Sequence, residues 1–156
     1  MVNINTTFEK TYKLSSDQSF SLIFEWLVSK NAKILSDNPP HFIRATHGSI
    51  DEENIYDPDY KKDIIVRIEE IDIDSVNIII DVIHSAEFIQ KEKLINALKN
   101  KFFHELFEIL EKGGGQEEAP MSELTIRFSD EQDLMEKLDN LYKEWESSKE
   151  IKNKKT

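Results

Sequence analysis

Lys99 interrupts an otherwise apolar helical stripe, and Asp81 is the carboxylate best placed to answer it. Residues 85–112 form a long amphipathic run. Stepping about 100° per residue from Ile95 brings Phe88, Leu98, Phe102, Leu106, Ile109 and Leu110 around it. Phe103 and Phe107 widen the patch to nearly half the cylinder. Lys99 projects about 40° from Ile95, inside that arc. A lysine there either lays its stem along the core and sends its ammonium to water, or it points between helix and sheet. In the second case it pairs with a carboxylate or anchors an anionic ligand. Asp81, on the strand over 76–84, is the partner expected if that strand face meets the helix.

The other polar residues form weaker patterns. His41 and His47 fall on one side of a strand but stand about 20 Å apart at strand rise, too far to hold one metal ion alone. His104-Glu105 lacks a second histidine one helical turn on. Residues 48–60 carry Asp51, Glu52, Glu53, Asp57 and Asp59. No glycine occupies the turn a calcium loop requires, and Pro58 divides the acids, so a solvated acidic loop is expected. The chain has four glycines, Gly48 and the run Gly113, Gly114 and Gly115. A phosphate-cradling loop needs spaced glycines between a strand and a helix, which excludes dinucleotide and P-loop folds. Catalysis needs a nucleophile or a positioned acid–base pair. The expectation is a protein that is not an enzyme and has no cofactor and no metal.

These residues must be positioned by a mixed set of elements. Residues 6–14 alternate as a strand, and Lys10 on its apolar side suggests an edge. Ser15 to Gln18 reads as a capping box. The helix that follows, to about Lys30, has Phe20, Ile23, Phe24, Leu27 and Val28 as its stripe. Leu22 and Trp26 fall on its opposite side, one turn apart, and together suggest a partner-contact surface. Short strands at 32–36 and 41–47 flank Pro39-Pro40. Strands at 63–70 and 76–84 form a hairpin; the second is apolar on both sides and therefore central. For the long helix, Ser85 is the expected N-cap, and Lys112-Gly113 the stop.

Residues 113–121 read as a flexible linker. A strand-helix segment over 122–147 follows, in which Leu124, Ile126 and Phe128 alternate and a helix begins near Asp130. Leu134, Leu138, Leu141, Tyr142 and Trp145 line one narrow side of that helix, a stripe suited to a groove or another helix. Residues 148–156 read as a disordered charged tail.

Composition limits the partners. The 156 residues carry a net charge of −11, which disfavours duplex nucleic acid and anionic membranes, since both attract cations. The acidity is local: residues 31–90 hold five basic against thirteen acidic side chains. There is no cysteine, so disulfides and thiolate chemistry are excluded. No apolar run reaches the roughly 18 residues of a membrane span. Residues 1–10 have neither a basic start nor an apolar signal core, and the expected location is cytoplasmic.

The order strand, helix, three or four strands, long helix predicts an α+β domain over 1–112. Its curved antiparallel sheet packs on the long helix, and the segment 122–147 forms a C-terminal strand-helix arm. That order resembles the TBP-like and helix-grip folds, including the Bet v1-like ligand carriers and small uncharacterised archaeal proteins. The resemblance covers about 110 residues and rests on element order. It implies a cavity between sheet and helix. A ferredoxin-like sandwich closed by residues 124–128 is the alternative. Two functions compete. One is a non-catalytic protein-interaction or oligomerisation module, contacting a partner or a second copy through Leu22, Trp26, Leu134, Leu138, Leu141 and Trp145. The other is a small-molecule binding protein using Lys99 and Asp81.

Overall fold

The computed structural model describes residues 2–51, 54–86, 89–113 and 124–129. The elements are β1 (Val2–Tyr12), α1 (Ser16–Ser29), β2 (Lys33–Asn38), β3 (Phe42–His47), β4 (Lys62–Asp72), β5 (Ser75–Ala86), α2 (Lys91–Asn96), α3 (His104–Gly113) and β6 (Thr125–Ser129). A π-helical turn, Ala97–Phe102, joins α2 to α3. The fold is α+β: a curved, unclosed antiparallel sheet in the order β2-β3-β4-β5-β1-β6. The expected β4–β5 hairpin is present, with Val66 opposite Ile80. β6 pairs with β1, Phe8 opposite Ile126, so Thr125–Ser129, within the segment expected to be an arm, supply the sheet's sixth strand. β1 is therefore not the edge that Lys10 suggested. Lys10 instead meets Glu111 on α3 at 2.6 Å.

Alternation along the strands gives the sheet two different faces. The inner face carries Ile4, Phe8 and Tyr12 of β1, Val76, Ile78, Ile80 and Val82 of β5, Ile64, Val66 and Ile68 of β4, and Ile43 and Ala45 of β3, all buried. The described helices pack there. Phe8 meets Phe103 at 5.6 Å between ring centroids, and Trp26 of α1 meets Phe102 and Phe103 at 5.3 and 5.6 Å.

The long helix differs from its sequence pattern at both its start and its middle. Ser85 is not its N-cap: it belongs to β5, opposite Asn3, and α2 starts after Gln90. The buried residues are Leu94, Ala97, Leu98, Phe102, Phe103, Leu106 and Leu110. At about 100° per residue, Leu106 and Leu110 would lie about 120° round from Leu94 and Leu98. A π turn, bonded i to i+5, holds one residue more than an α turn and absorbs that drift. The broad apolar patch is thus two narrow stripes brought into line by the π turn. Lys99 lies inside the averaged patch but outside the first stripe, and it is exposed.

α1 is turned relative to expectation as well. Its buried residues are Ser16, Ser19, Ile23, Trp26 and Leu27. Two of these are serines, which a count of apolar residues overlooks. Ser19 Oγ donates to the Ser15 carbonyl at 2.9 Å and Ser16 Oγ to Glu70 at 2.5 Å, so both are buried with partners. The capping box is formed as expected, Ser15 with Gln18. Val28, assigned to the stripe, is exposed.

If the π turn absorbs one surplus residue, deleting exposed Asn100 should leave a continuous α-helix with the same buried stripe and change stability by about 1 kcal/mol or less. Deleting Glu108 instead should turn Leu110 off the core and cost about 2–5 kcal/mol. Denaturant midpoints of the two variants check this; equal losses would contradict it.

Candidate functional site

Asp81 and Lys99 are not brought together. Asp81 points from β5 to the outer face of the sheet, away from the helices. Its Oδ1 accepts from Asn5 Nδ2 at 3.0 Å and from Thr7 Oγ1 at 2.6 Å, and its Oδ2 lies 3.4 Å from Arg67 Nη2. The register explains this set: Thr7 and Arg67 sit on the strands flanking β5, Thr7 directly opposite Asp81 and Arg67 diagonal to it. One pleat further on, Glu9 accepts from Asn77 at 2.7 Å and from Arg127 at 2.7 Å. Those hydrogen bonds, Asn77 first and then Arg127, hold the Glu9 carboxyl below its ordinary range. A polar ladder therefore crosses β6, β1, β5 and β4, flanked by Ile65, Ile79 and Ile83 on the same face.

The centre of this outer face is buried. Asn5 is 1% exposed, Thr7 3%, Asp81 4% and Ile79 6%. Asn5 Oδ1 and Arg67 Nε are buried without a hydrogen-bond partner among the described residues. At one end of the strands lies a trough of about 400 Å³, lined by Asn3, Asp63 and Ile83 of the outer face and also by His47, Lys62 and His84.

Lys99 lines a different place, a cleft of about 310 Å³ between the helix and β1, with Lys10, Tyr12, His104, Phe107 and Glu111. Trp26 is not an open contact: it is 3% exposed. Leu22 is half-buried, and a Cβ on Gly113 would meet its Cδ1 at 2.9 Å, so it packs on the end of α3. Leu134, Leu138, Leu141 and Trp145 lie outside the described residues.

Pattern reading missed a buried cation. Lys62, on the inner face, donates to the carbonyls of Pro58 and Tyr60 at 2.7 and 2.8 Å and lies 3.1 Å from His47 Nδ1. Its ammonium sits 4.3 Å from the centre of the Phe102 ring. Three acceptors use its three protons, so this lysine fastens the 48–60 loop beneath the sheet rather than waiting for a ligand. Accepting at Nδ1 leaves His47 neutral with its hydrogen on Nε2. Burial pushes Lys62 down to about 8. Burial and then Lys62 push His84 down to about 3 and lower His47. The only signal in the sequence was a lysine in an inward register position. Among the described residues no cluster of histidines and carboxylates could hold a metal ion, and no helix is long and apolar enough to cross a membrane.

Compared with protein-family models, curated proteins and solved structures, the chain has no match.

The buried imidazole of His84 sets an acid limit. An unfolded chain protonates histidine near pH 6.5, whereas His84 in the fold does so near 3. Between those values the unfolded state binds the extra proton, so stability falls as pH falls, on the order of 1 kcal/mol per pH unit. His47 adds to it in the same direction. Melting temperature between pH 7 and 5 should drop, and His84→Gln should flatten much of that slope. An unchanged slope in the variant would contradict the assignment.

Proposed function

We propose that this chain is a non-catalytic protein-interaction or oligomerisation module that works through the outer face of its sheet. One observation carries the reading: Asn5, Thr7, Ile79 and Asp81 are buried at the centre of a face opposite all the described helices. A face that combines isoleucines with a fixed polar ladder, and leaves buried donors and acceptors to be met, is suited to covering by protein. The partner is a protein or a second copy rather than nucleic acid. The face sets Glu9, Asp63, Glu69 and Asp81 against Lys33, Arg44, Arg67 and Arg127, which gives no excess of cations for phosphates. A cysteine-free acidic chain suits a reducing cytoplasm. The element order supports a helix-grip or TBP-like reading of the fold, in which Phe8, Phe103 and Trp26 occupy the space that carriers of that kind leave to a ligand.

A second reading, a carrier of small anionic or hydrophobic molecules, is favoured by the cleft beside Lys99. Lys10 and Lys99 there could meet an anion, although Glu108 and Glu111 line the same cleft.

Light scattering and denaturation of the full chain and of a chain ending at Gly113 test the first reading. The shortened chain should self-associate or lose stability, because the β1 edge is then open. Equal monomers of equal stability would remove it. The carrier reading expects an anionic naphthalene sulfonate dye to bind in a manner weakened by Lys99→Glu, and falls if that variant binds unchanged.

A further inference from the structure

Burial on the outer face is graded across the strands. It is deepest at Asn5 and Thr7 on β1 and at Ile79 and Asp81 on β5. It is partial at Ile65 and Arg67 on β4, and gone at Arg44 on β3. The burial is therefore centred on β1 and β5 and falls off on both sides, with Arg127 of β6 and Arg44 of β3 both exposed. The described helices cannot cause it, since they pack on the other face. Twenty-seven residues of chain follow Ser129, which lies opposite Asn5 at the edge of this face. The first eighteen, residues 130–147, have an apolar stripe of Leu134, Leu138, Leu141, Tyr142 and Trp145 at helical spacing.

We infer that residues 130–147 form an amphipathic helix that packs across the outer face of the same molecule's sheet, seating that stripe on Ile79 and Ile65 over the Asp81 ladder. The segment is long enough. Eighteen helical residues span about 27 Å, more than the three strand spacings of about 4.8 Å, about 14 Å in all, from β6 to β4, the last strand with partial burial. Entry from β6 needs no long connection, because the strand delivers the chain to the edge of the face it covers. Such a helix makes the sheet a middle layer between two helical layers. The inference rests on the reading of the outer face as a protein-binding surface, and adds that the chain's own C-terminal segment occupies it and competes with any other partner.

The chain has no cysteine, so introduced thiols report alone. In the full chain, Ile79→Cys is combined in turn with Leu134→Cys, Leu138→Cys and Leu141→Cys, and each is oxidised at low concentration. At least one pair should give an intrachain bridge in a particle that light scattering finds monomeric. Bridges between chains would overturn the inference in favour of a second copy, and no bridge in any pair would overturn it outright. A second measurement guards against misfolded variants. In the single variant Thr7→Cys, thiol reactivity should rise at least tenfold when Leu138→Glu is added, while Lys33→Cys, on the distant β2 edge, should not respond. Unchanged reactivity at Thr7→Cys in a folded protein would also overturn it. Failure of these tests with a self-associating shortened chain would leave the outer face a binding surface with another occupant.

Discussion

A helix that must bury Leu94 near one end and Leu110 at the other against one sheet face has to absorb the drift between its 3.6-residue period and its sequence. The π turn at Ala97–Phe102 does this. It lets Phe102 and Phe103 face the sheet together, and Phe103 then reaches both Phe8 on β1 and Trp26 on α1. Phe103 and Phe8 are fully buried, so this aromatic contact is where the helix, α1 and the sheet meet. Because the ring of Phe102 also lies over the Lys62 ammonium, the same turn fixes the 48–60 loop through the carbonyls of Pro58 and Tyr60.

The two sheet faces are built on different physics. The inner face is aliphatic and aromatic, and its few charged groups are neutralised or fully engaged, as with Lys62. The outer face carries ion pairs and amide hydrogen bonds between neighbouring strands, with isoleucines beside them. Buried ladders of this kind contribute little net stability, since desolvation offsets most of the attraction. What they provide is register: Thr7 and Asn5 on β1 and Arg67 on β4 must all reach one carboxylate on β5. The ladder holds β6 too, through Arg127 and Glu9, and so fixes where the C-terminal segment leaves the sheet.

Much of the fold was legible in residue alternation. β4 and β5, the hairpin between them, and the separation of Asn77, Ile79, Asp81 and Ile83 from Val76, Ile78, Ile80 and Val82 follow from a period of two. The Ser15 capping box was legible because a cap is a local hydrogen bond. The candidate site was not. A fixed helical angle cannot register a π turn, so Lys99 was averaged into a stripe it does not share, and its pairing with Asp81 lapsed. Trp26 was placed outside because Ser16 and Ser19 do not count as apolar, yet they are buried with partners and turn α1 inward. Lys62 was passed over because its acceptors are carbonyls of a loop, which no side-chain pattern displays.

The outer face and the segment after β6 are one question, and solvent contact at Trp145 answers it. The chain has two tryptophans, so 5-fluorotryptophan labelling gives two fluorine resonances, assigned by Trp26→Phe. Trp26 is buried and sets the protected reference. Against a soluble paramagnetic agent, the Trp145 resonance should be protected to a similar degree in the monomer. A Trp145 resonance broadened like that of a free tryptophan would contradict the account.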